Sequence, residues 1–415
     1  MRFRVEREAL GEAVTWVARA LPSRPVVPVL SGLLLQAGDD VLTLSCFDYE
    51  VSARARIDAK VEEGGDALVP GRLLAEIIRS LPPLDVEVAT DADMIDLTCG
   101  TAEFALVSLP LADYPALPEP PAPAGTVDGG VLAVGAGQVV PAASRDDTLP
   151  MLTAVCLDVD GETLTMAATD RYRMAVRQLR WEPEVPGLRA TAMVPAKTLN
   201  EVARTMTAAE PVTVSFGTGG PAGQPDSGAS ADGLISFQNQ SRRLTARLVA
   251  GEFIKYQSRF PAEFGSAATI PAGPFTEAVR RVSLAADRTS PVRLTFGSDS
   301  VVVDAHTEGR ARARESVPAE FEGGETVISF NPHLLLDGLT ASAASASAAP
   351  AASEQPGTNA DSSAGPAGPV QIKLEFTSAA KPALITWAGD DGVQPETPGQ
   401  PAFRYLLAPL RIPGA

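Results

Sequence analysis

The chain has 415 residues, 45% of them hydrophobic, and a formal net charge of −17. At about 100–200 residues per domain, this length predicts two to four domains of ordinary globular composition. No apolar run reaches the roughly 18 residues of a membrane span, so no transmembrane helix is expected. The charged start, Met1–Leu10, lacks the apolar centre of a signal peptide, which favours a cytoplasmic protein.

Cysteine and histidine are scarce in this sequence. The three cysteines, Cys46, Cys99 and Cys156, have no metal-ligand spacing and are typical of reduced thiols. The two histidines, His306 and His333, are too few for a histidine-rich zinc site. We therefore expect neither a metal nor a cofactor.

One helix-like segment recurs along the chain. LVPGRLLAEIIRSLP (68–82) returns as MVPAKTLNEVARTMT (193–207) and, more weakly, as SFNPHLLLDGLTA (329–341). In the first copy, Arg72 and Arg79 lie about two helical turns apart and share one face. An internal repeat of this kind indicates a duplicated unit.

The segments between these copies also repeat. Alternating apolar runs separated by Gly/Asp turns occupy 28–57, 150–179 and 290–317, and each predicts a meander of antiparallel strands. Helix-like stretches precede them at 6–21, near 137–147 and at 274–288. The first has an apolar stripe of Leu10, Val14, Val17 and Leu21, whereas the second is the weakest by propensity.

These copies predict an α+β chain of three repeated domains in which helices pack on antiparallel sheets. We expect an N-terminal domain at 1–120, a central domain at 130–255 and a C-terminal domain at 265–415. Two stretches look like insertions. Residues 217–233 predict a flexible loop, and 341–369 are so rich in Ala, Ser, Pro and Gly that burial cannot offset the entropy of ordering. We therefore predict disorder in 341–369.

No catalytic constellation is evident. The sequence contains no P-loop, no dinucleotide-binding glycine motif after a strand, no HExxH and no CxxC. Asp170 could be a lone catalytic carboxylate, but no second acid has convincing spacing, so a turn-forming role is the better interpretation. His306 is interpreted as structural or exposed. The sequence favours a non-enzymatic scaffold.

The basic residues on the repeated helices are the most informative charges. Arg72 and Glu76 alone would indicate a solvated helix face, with a pair worth about 0.2–0.5 kcal/mol. However, Lys197 and Arg204 occupy the same places in the second copy. Nearby helices and loops add Arg19, Arg24, Arg280, Arg281 and Arg288. Recurrent basic helices in an acidic chain indicate a positive surface that contacts phosphates irrespective of base sequence. Two chains associated head to tail could close six such units into a ring.

Five motifs carry a resemblance to a known family. They are SRPVVPVLSGLLL (23–35), ATDRYRMAV (168–176), GEFIKYQSRFP (251–261), FNPHLLLDGL (330–339) and YLLAPLRI (405–412). With them the chain resembles the bacterial β sliding clamps of actinobacterial type, from Met1 to Ile412 apart from the two insertions. The resemblance implies three clamp domains in a head-to-tail homodimeric ring that encircles duplex DNA. It also implies a non-enzymatic tether for the replicative DNA polymerase, the clamp loader and other clamp-motif proteins.

The resemblance also implies two sets of site residues. Those facing DNA would be Arg24, Arg72, Arg79, Lys197 and Arg204. A pocket for partner peptides, between the central and C-terminal domains, would be formed by Leu152, Thr169, Arg171, Tyr172, Arg173, Met174, Ile254, Arg259, Leu406, Leu407, Ala408, Pro409, Leu410 and Arg411. In the third copy of the helix, His333 and Thr340 replace the two arginines, so the positive lining should be weakest there.

The sequence departs from the family's pattern at three pocket positions. Ala408 stands where the family often has a gating Met, Ile254 where proline is usual and Arg259 where many clamps have an apolar residue. These changes raise the alternative of a specialised second clamp, for instance one that tolerates a clamp-directed antibiotic. A scaffold that never holds DNA is a further alternative.

Overall fold

The computed structural model describes residues 1–91, 93–206, 210–217, 233–287, 290–307, 309–348, 369–389 and 402–410. Most of the two predicted insertions, together with Arg288 and Arg411, lies outside these ranges. Within them, no helix combines the length and the hydrophobicity needed to cross a membrane.

Strands and helices alternate along the chain. The first stretch contains β1 (Arg2–Val5), α1 (Arg7–Ala18), β2 (Gly32–Gly38), β3 (Val41–Phe47), β4 (Val51–Asp58), β5 (Lys60–Glu63), β6 (Gly65–Pro70), α2 (Gly71–Ser80), β7 (Val86–Asp91), β8 (Met94–Cys99), β9 (Ala102–Val107) and β10 (Pro123–Asp128). The second contains α3 (Gly129–Val139), β11 (Ala154–Asp160), β12 (Thr163–Thr169), β13 (Arg173–Arg180), β14 (Glu182–Pro183), β15 (Arg189–Pro195) and α4 (Ala196–Thr205).

The remaining elements follow in the same alternation. They are β16 (Pro211–Phe216), β17 (Leu234–Gln238), β18 (Arg242–Arg247), β19 (Ser266–Pro271), α5 (Ala272–Ser283), β20 (Val292–Phe296), β21 (Ser300–Thr307), β22 (Ala311–Pro318), β23 (Glu320–Glu322), β24 (Thr326–Phe330), α6 (Pro332–Ala348), β25 (Gln371–Phe376), β26 (Ala383–Trp387) and β27 (Phe403–Leu407).

The predicted meanders are confirmed. The antiparallel sets β2–β4, β11–β13 and β20–β22 lie where the three alternating runs were read. The apolar stripe of α1 is also confirmed, because its four residues are all buried. The period of the hydrophobic pattern was therefore enough to locate these elements.

The prediction for the middle helix was wrong in its position. The helix α3 covers Gly129–Val139 instead of 137–147. Pro141 lies in the short 3-10 helix that follows and cannot donate a backbone hydrogen bond, which is consistent with the α-helix ending there. A Cβ at Gly135 would lie 2.6 Å from the Met166 side chain. This glycine therefore allows α3 to pack closely on the sheet, and tertiary contact overrides its poor helix propensity.

Disorder was wrongly predicted for the first part of 341–369. The helix α6 continues to Ala348. In this extension Ser345 is buried, and the Gln138 side-chain amide of α3 donates to the Ala341 carbonyl (2.8 Å) and the Ser345 hydroxyl (2.9 Å). Small Ala and Ser side chains, which looked like a linker, instead form a helix that another helix contacts.

The chain forms two compact units, which do not follow the three sequence copies. One contains Met1–Gly129 with Arg204–Leu248, and the other contains Gly130–Ala203 with Val249–Ala415. The first unit has a sheet ordered β5-β1-β7-β8-β9, and the strands that it contributes to a larger sheet are ordered β10-β16-β17-β18-β4-β3-β2-β6. The second has a nine-stranded sheet, β15-β11-β12-β13-β27-β26-β25-β19-β23, and a four-stranded sheet, β22-β21-β20-β24. The larger sheet of each unit therefore joins strands from two adjacent copies.

Equivalent turns precede the two strands at which the copies join. Asp48 before β4 and Asp170 before β13 each accept hydrogen bonds from the backbone N–H groups two and three residues later. The residues that follow, Tyr49 (φ 73°) and Arg171 (φ 80°), adopt the left-handed conformation. An aspartate that bonds its own backbone stabilises such a turn. The turn-forming role predicted for Asp170 is therefore confirmed.

Candidate functional site

The pairing of β13 with β27 forms the seam between the second and third copies. Met174 is opposite Leu406, and both belong to a buried apolar cluster with Ala154, Cys156 and Val176. Successive residues of a strand point to opposite faces of the sheet. One face of the seam therefore presents Met174 and Leu406, and the other presents their neighbours.

The segment 249–264, here named the strap, covers the Met174 and Leu406 face. Its side chains Val249, Phe253, Ile254, Phe260 and Phe264 pack against the apolar cluster. Tyr256 is buried within the cluster, and its hydroxyl donates to the Asp158 carboxylate at 2.9 Å. The guanidinium of Arg404, next to Leu406, lies 4.5 Å from the centre of the Phe260 ring. Three residues of the predicted pocket, Ile254, Met174 and Leu406, therefore pack together in one cluster.

Arg173 connects the seam to α6. Its Nε donates to Asp170 at 3.0 Å, and its Nη1 lies 2.5 Å from Asp337 and 3.3 Å from the hydroxyl of Tyr405. That hydroxyl donates in turn to the Leu334 carbonyl at 2.8 Å. Burial alone would lower the pKa of Arg173, but Tyr405, Asp337 and Asp170 raise it overall. The guanidinium is therefore held charged at this junction.

Two predicted pocket residues lie on the helix side of the sheet. Leu407 is completely buried, and it shares the side of Tyr405, whose hydroxyl reaches α6. Arg173 is opposite Leu407 in the register and also reaches α6. Leu407 and Arg173 therefore lie on the opposite side of the strands from Met174 and Leu406, because adjacent strand residues face opposite ways.

The other predicted pocket residues divide by exposure into a buried set, the predicted floor, and an exposed or half-buried set, the predicted rim. Leu152, in the short 3-10 helix Pro150–Leu152, is buried, as are Thr169, Met174 and Leu406. The exposed or half-buried rim residues are Arg171, Tyr172, Ile254, Arg259, Ala408, Pro409 and Leu410. Backbone hydrogen bonds position residues 408–410, which follow β27. The Ala408 N–H donates to the Tyr172 carbonyl at 2.8 Å, and the Leu410 N–H donates to the Ser329 carbonyl at 2.7 Å.

The basic helix faces carry exposed charge. Arg24, Arg72, Arg79, Lys197 and Arg204 are all exposed. Arg72 donates to the Pro22 carbonyl at 3.1 Å, and no ion pair joins it to Glu76, so that expected pair is absent. In the part of the chain that the structure describes, no carboxylate lies within ion-pair distance of the Arg79, Lys197 or Arg204 side chain.

The helix α5 is different, because its arginines are neutralised. Arg281 makes two hydrogen bonds to Glu315, at 3.1 and 2.6 Å, and Arg280 contacts Glu277. The hydrogen bond raises the pKa of Arg281 and lowers that of Glu315. The expectation that these two arginines add to the free positive surface was therefore wrong.

Two side chains that matter at the seam were missed in the sequence. Asp337 and Tyr405 both bond Arg173. Asp337 aligns with Glu76 and Glu201 of the other helix copies, a signal that it lies on the polar face of the repeat. Its partner could not be found by spacing, because Arg173 is 164 residues away.

The cysteines are buried free thiols. Burial raises the pKa of Cys46 and of Cys156 to about 12. Below that pH both side chains are mainly protonated thiols, so little of the reactive thiolate is present. We expect iodoacetamide at about pH 8 to leave both unmodified in the folded protein and to modify both in urea, as measured by mass spectrometry. Rapid modification of native Cys156 would show that the strap opens readily.

Family models match most of the chain up to residue 346. The models match residues 1–118 as the N-terminal domain, 126–255 as the central domain and 257–346 as the C-terminal domain of the DNA polymerase III beta subunit. The chain belongs to the DNA polymerase III beta subunit family. It is 44% identical over 414 residues to the beta sliding clamp of Streptomyces coelicolor, covering 100% of both chains.

Other members of the DNA polymerase III beta subunit family agree with this assignment. The chain is 41% identical over 412 residues to the beta sliding clamp homolog GriR of Streptomyces muensis, covering 99% of this chain and 100% of that one. The crystal structure of the Bacillus subtilis sliding clamp matches with a TM-score of 0.81 at 24% identity, over 99% of both chains. The Pseudomonas aeruginosa clamp bound to griselimycin matches equally well, covering 99% of this chain and 100% of that one. These two structures support the clamp fold.

Proposed function

We propose that this chain pairs head to tail into a ring that encircles duplex DNA and tethers the replicative polymerase, without a catalytic step of its own. It would act in the cytoplasm, be placed on DNA by a clamp loader and be shared with other proteins that carry clamp motifs. Family membership supports this function. The exposed basic side chains of α2 and α4, which form no ion pair with any residue that the structure describes, carry the argument for contact with DNA. Phosphates attract such charges irrespective of base sequence.

Two open sheet edges support head-to-tail pairing. The strand β9 ends the sheet of the first unit, and β22 ends the four-stranded sheet of the second. Glu103 is exposed on β9, whereas Arg312 and Arg314 are exposed on β22. An edge strand can extend a neighbouring sheet, and opposite charges favour that pairing. Light scattering should give about twice the chain mass of 43.1 kDa; a monomer at micromolar concentration would contradict the ring.

Topological retention is the decisive test of the function. The protein would be loaded onto nicked circular plasmid by the clamp loader of its own organism with ATP and then separated by gel filtration. We expect it to stay with the circle and to leave once a restriction enzyme linearises the DNA. Equal retention on linear DNA, or none on the circle, would contradict encirclement.

Removing the charges of α4 should weaken the contact with phosphate. We expect the Lys197→Ala/Arg204→Ala variant to flatten the slope of log affinity against log salt by about 2, because each phosphate contact contributes about 0.9. Fluorescence anisotropy with a short duplex measures this slope. Arg280→Ala is the matched control, since Glu277 already neutralises that arginine. Equal slopes in wild type and the double variant would show that α4 does not belong to the DNA-facing surface.

We propose the second site, at the seam, for partner peptides. The buried floor and the exposed rim suit an extended segment with apolar anchors. Ala408 is half-buried at the rim, and a methionine there would extend over the groove. We expect Ala408→Met to lower the affinity for one standard clamp-motif peptide several-fold, as measured by calorimetry. Equal affinities would show that Ala408 does not widen the groove.

The same residue is the observation that favours the alternative of a specialised, antibiotic-tolerant clamp. The chain is 44% identical to the Streptomyces coelicolor clamp and 41% identical to GriR, and identity alone does not distinguish a main clamp from a specialised one. A direct comparison of griselimycin affinity between wild type and Ala408→Met would separate them. Tighter binding by the methionine variant would support the specialised role, and equal binding would leave the main-clamp role.

A further inference from the structure

The first unit contains a seam that corresponds to the β13–β27 seam but carries different chemistry. There β4 pairs with β18, and Arg54 lies directly opposite Arg243. Arg56, two residues along β4, points to the same face. In the second unit, the position of Arg54 is taken by the buried Val176. Three arginines therefore occupy positions at which the second unit has Val176, Gln178 and Arg404.

These arginines lack a charged partner within the part of the chain that the structure describes. Arg54 reaches the side-chain oxygen of Gln36 at 3.5 Å, and Arg243 donates to that of Gln238 at 2.6 Å, but both acceptors are neutral. Burial, and then Arg54, lower the pKa of Arg243, while Glu119 raises it from beyond ion-pair distance. Because like charges repel, an anion on this face would be stabilised by all three.

Two recesses meet at the pair of arginines. One, of about 450 Å³, is lined by Gln36, Arg54, Arg56, Gln238 and Arg243. The other, of about 330 Å³, shares Arg54 and Arg243 but also has Leu34, Tyr114 and Leu117 in its walls. Each lining also contains one acid, Asp39 in the first recess and Glu119 in the second. The two recesses together are here named the trough. The trough therefore combines arginines shared by both recesses with apolar walls in the second recess.

We propose that this trough binds an extended acidic peptide segment of a partner protein. Its carboxylates would pair with Arg54, Arg56 and Arg243, and an apolar side chain would enter the recess beside Leu34 and Tyr114. Arginine pairs with carboxylates through two parallel hydrogen bonds. A bare phosphate would satisfy the arginines but leave the apolar recess empty, which favours a peptide.

The test uses the full chain and a fluorescein-labelled octapeptide of alternating Asp and Leu. We expect fluorescence anisotropy to show saturable binding and the Arg54→Gln/Arg243→Gln variant to weaken it by about tenfold or more. Arg2→Gln is the matched control, because Arg2 is an exposed arginine of the same unit on another sheet. Circular dichroism of both variants in urea checks that they fold like wild type.

Three outcomes would overturn the proposal. The first is that the matched Lys and Leu peptide binds as tightly as the acidic one. The second is that the double variant, folded like wild type, binds as wild type does. The third is that inorganic phosphate alone displaces the peptide completely, which would make the trough an anion site without a peptide subsite. Failure of retention on circular DNA would leave this peptide result unaffected, so the two proposals fail separately.

Discussion

Replacing Arg173 with alanine is expected to lower the free energy of unfolding of the second unit by about 3 kcal/mol, the lower end for breaking a buried ion pair. The guanidinium is largely buried and bonds Asp170, Asp337 and Tyr405 at once. Its loss would leave the Asp170 carboxylate, itself mostly buried, without its partner. The lower end applies because Asp337 is 44% exposed and water can solvate it.

Urea unfolding followed by circular dichroism would measure this change. Arg180→Ala is the matched control on the same strand, since its ion pair with Glu162 is exposed on both sides. Exposed pairs contribute about 0–1 kcal/mol, so the control should shift little. If the two variants unfold alike, Arg173 does not hold the seam to α6.

Leu407→Ala is expected to destabilise the second unit by about 3 kcal/mol without weakening peptide binding. The side chain is completely buried on the helix side of the sheet, and truncating a buried leucine costs about 2–5 kcal/mol through lost transfer free energy and the cavity left behind. The same change at Leu406 should reduce both stability and peptide affinity, because Leu406 belongs to the cluster under the strap.

This pair of variants separates the two faces of one strand. Unfolding in urea gives the stability, and calorimetry with a clamp-motif peptide gives the affinity at a temperature where both variants remain folded. A loss of peptide affinity in Leu407→Ala as large as that in Leu406→Ala would contradict the assignment of faces.

The sequence predicted local structure well because the hydrophobic pattern of a strand or a helix repeats every few residues. Alternating runs located β2–β4 and β11–β13, and the stripe of α1 located its buried face. The faces of Leu406 and Leu407 could also have been separated, since neighbours in a strand point apart. Leu407 was grouped with Leu406 because the whole motif was carried over as one pocket.

Long-range pairings were beyond these patterns. Nothing in the spacing around Arg72 indicates that its guanidinium would reach Pro22 rather than Glu76. The neutralisation of Arg281 likewise depends on Glu315, 34 residues away on β22. The alternation of residues within a strand also does not identify the strand that pairs with it. The sharing of sheets between copies is therefore visible only in the structure.

The β13–β27 ladder has a consequence for how the chain is made. Arg173 and Tyr405 are 232 residues apart, so β13 is synthesised long before the strand β27 that pairs with it. At roughly 5–20 residues per second, the edge of β13 waits about 10 to 50 s for its partner. During that time its unpaired N–H and C=O groups and apolar side chains are open to other nascent chains. During synthesis the growing chain can therefore misassemble at β13, before β27 pairs with it in the second unit.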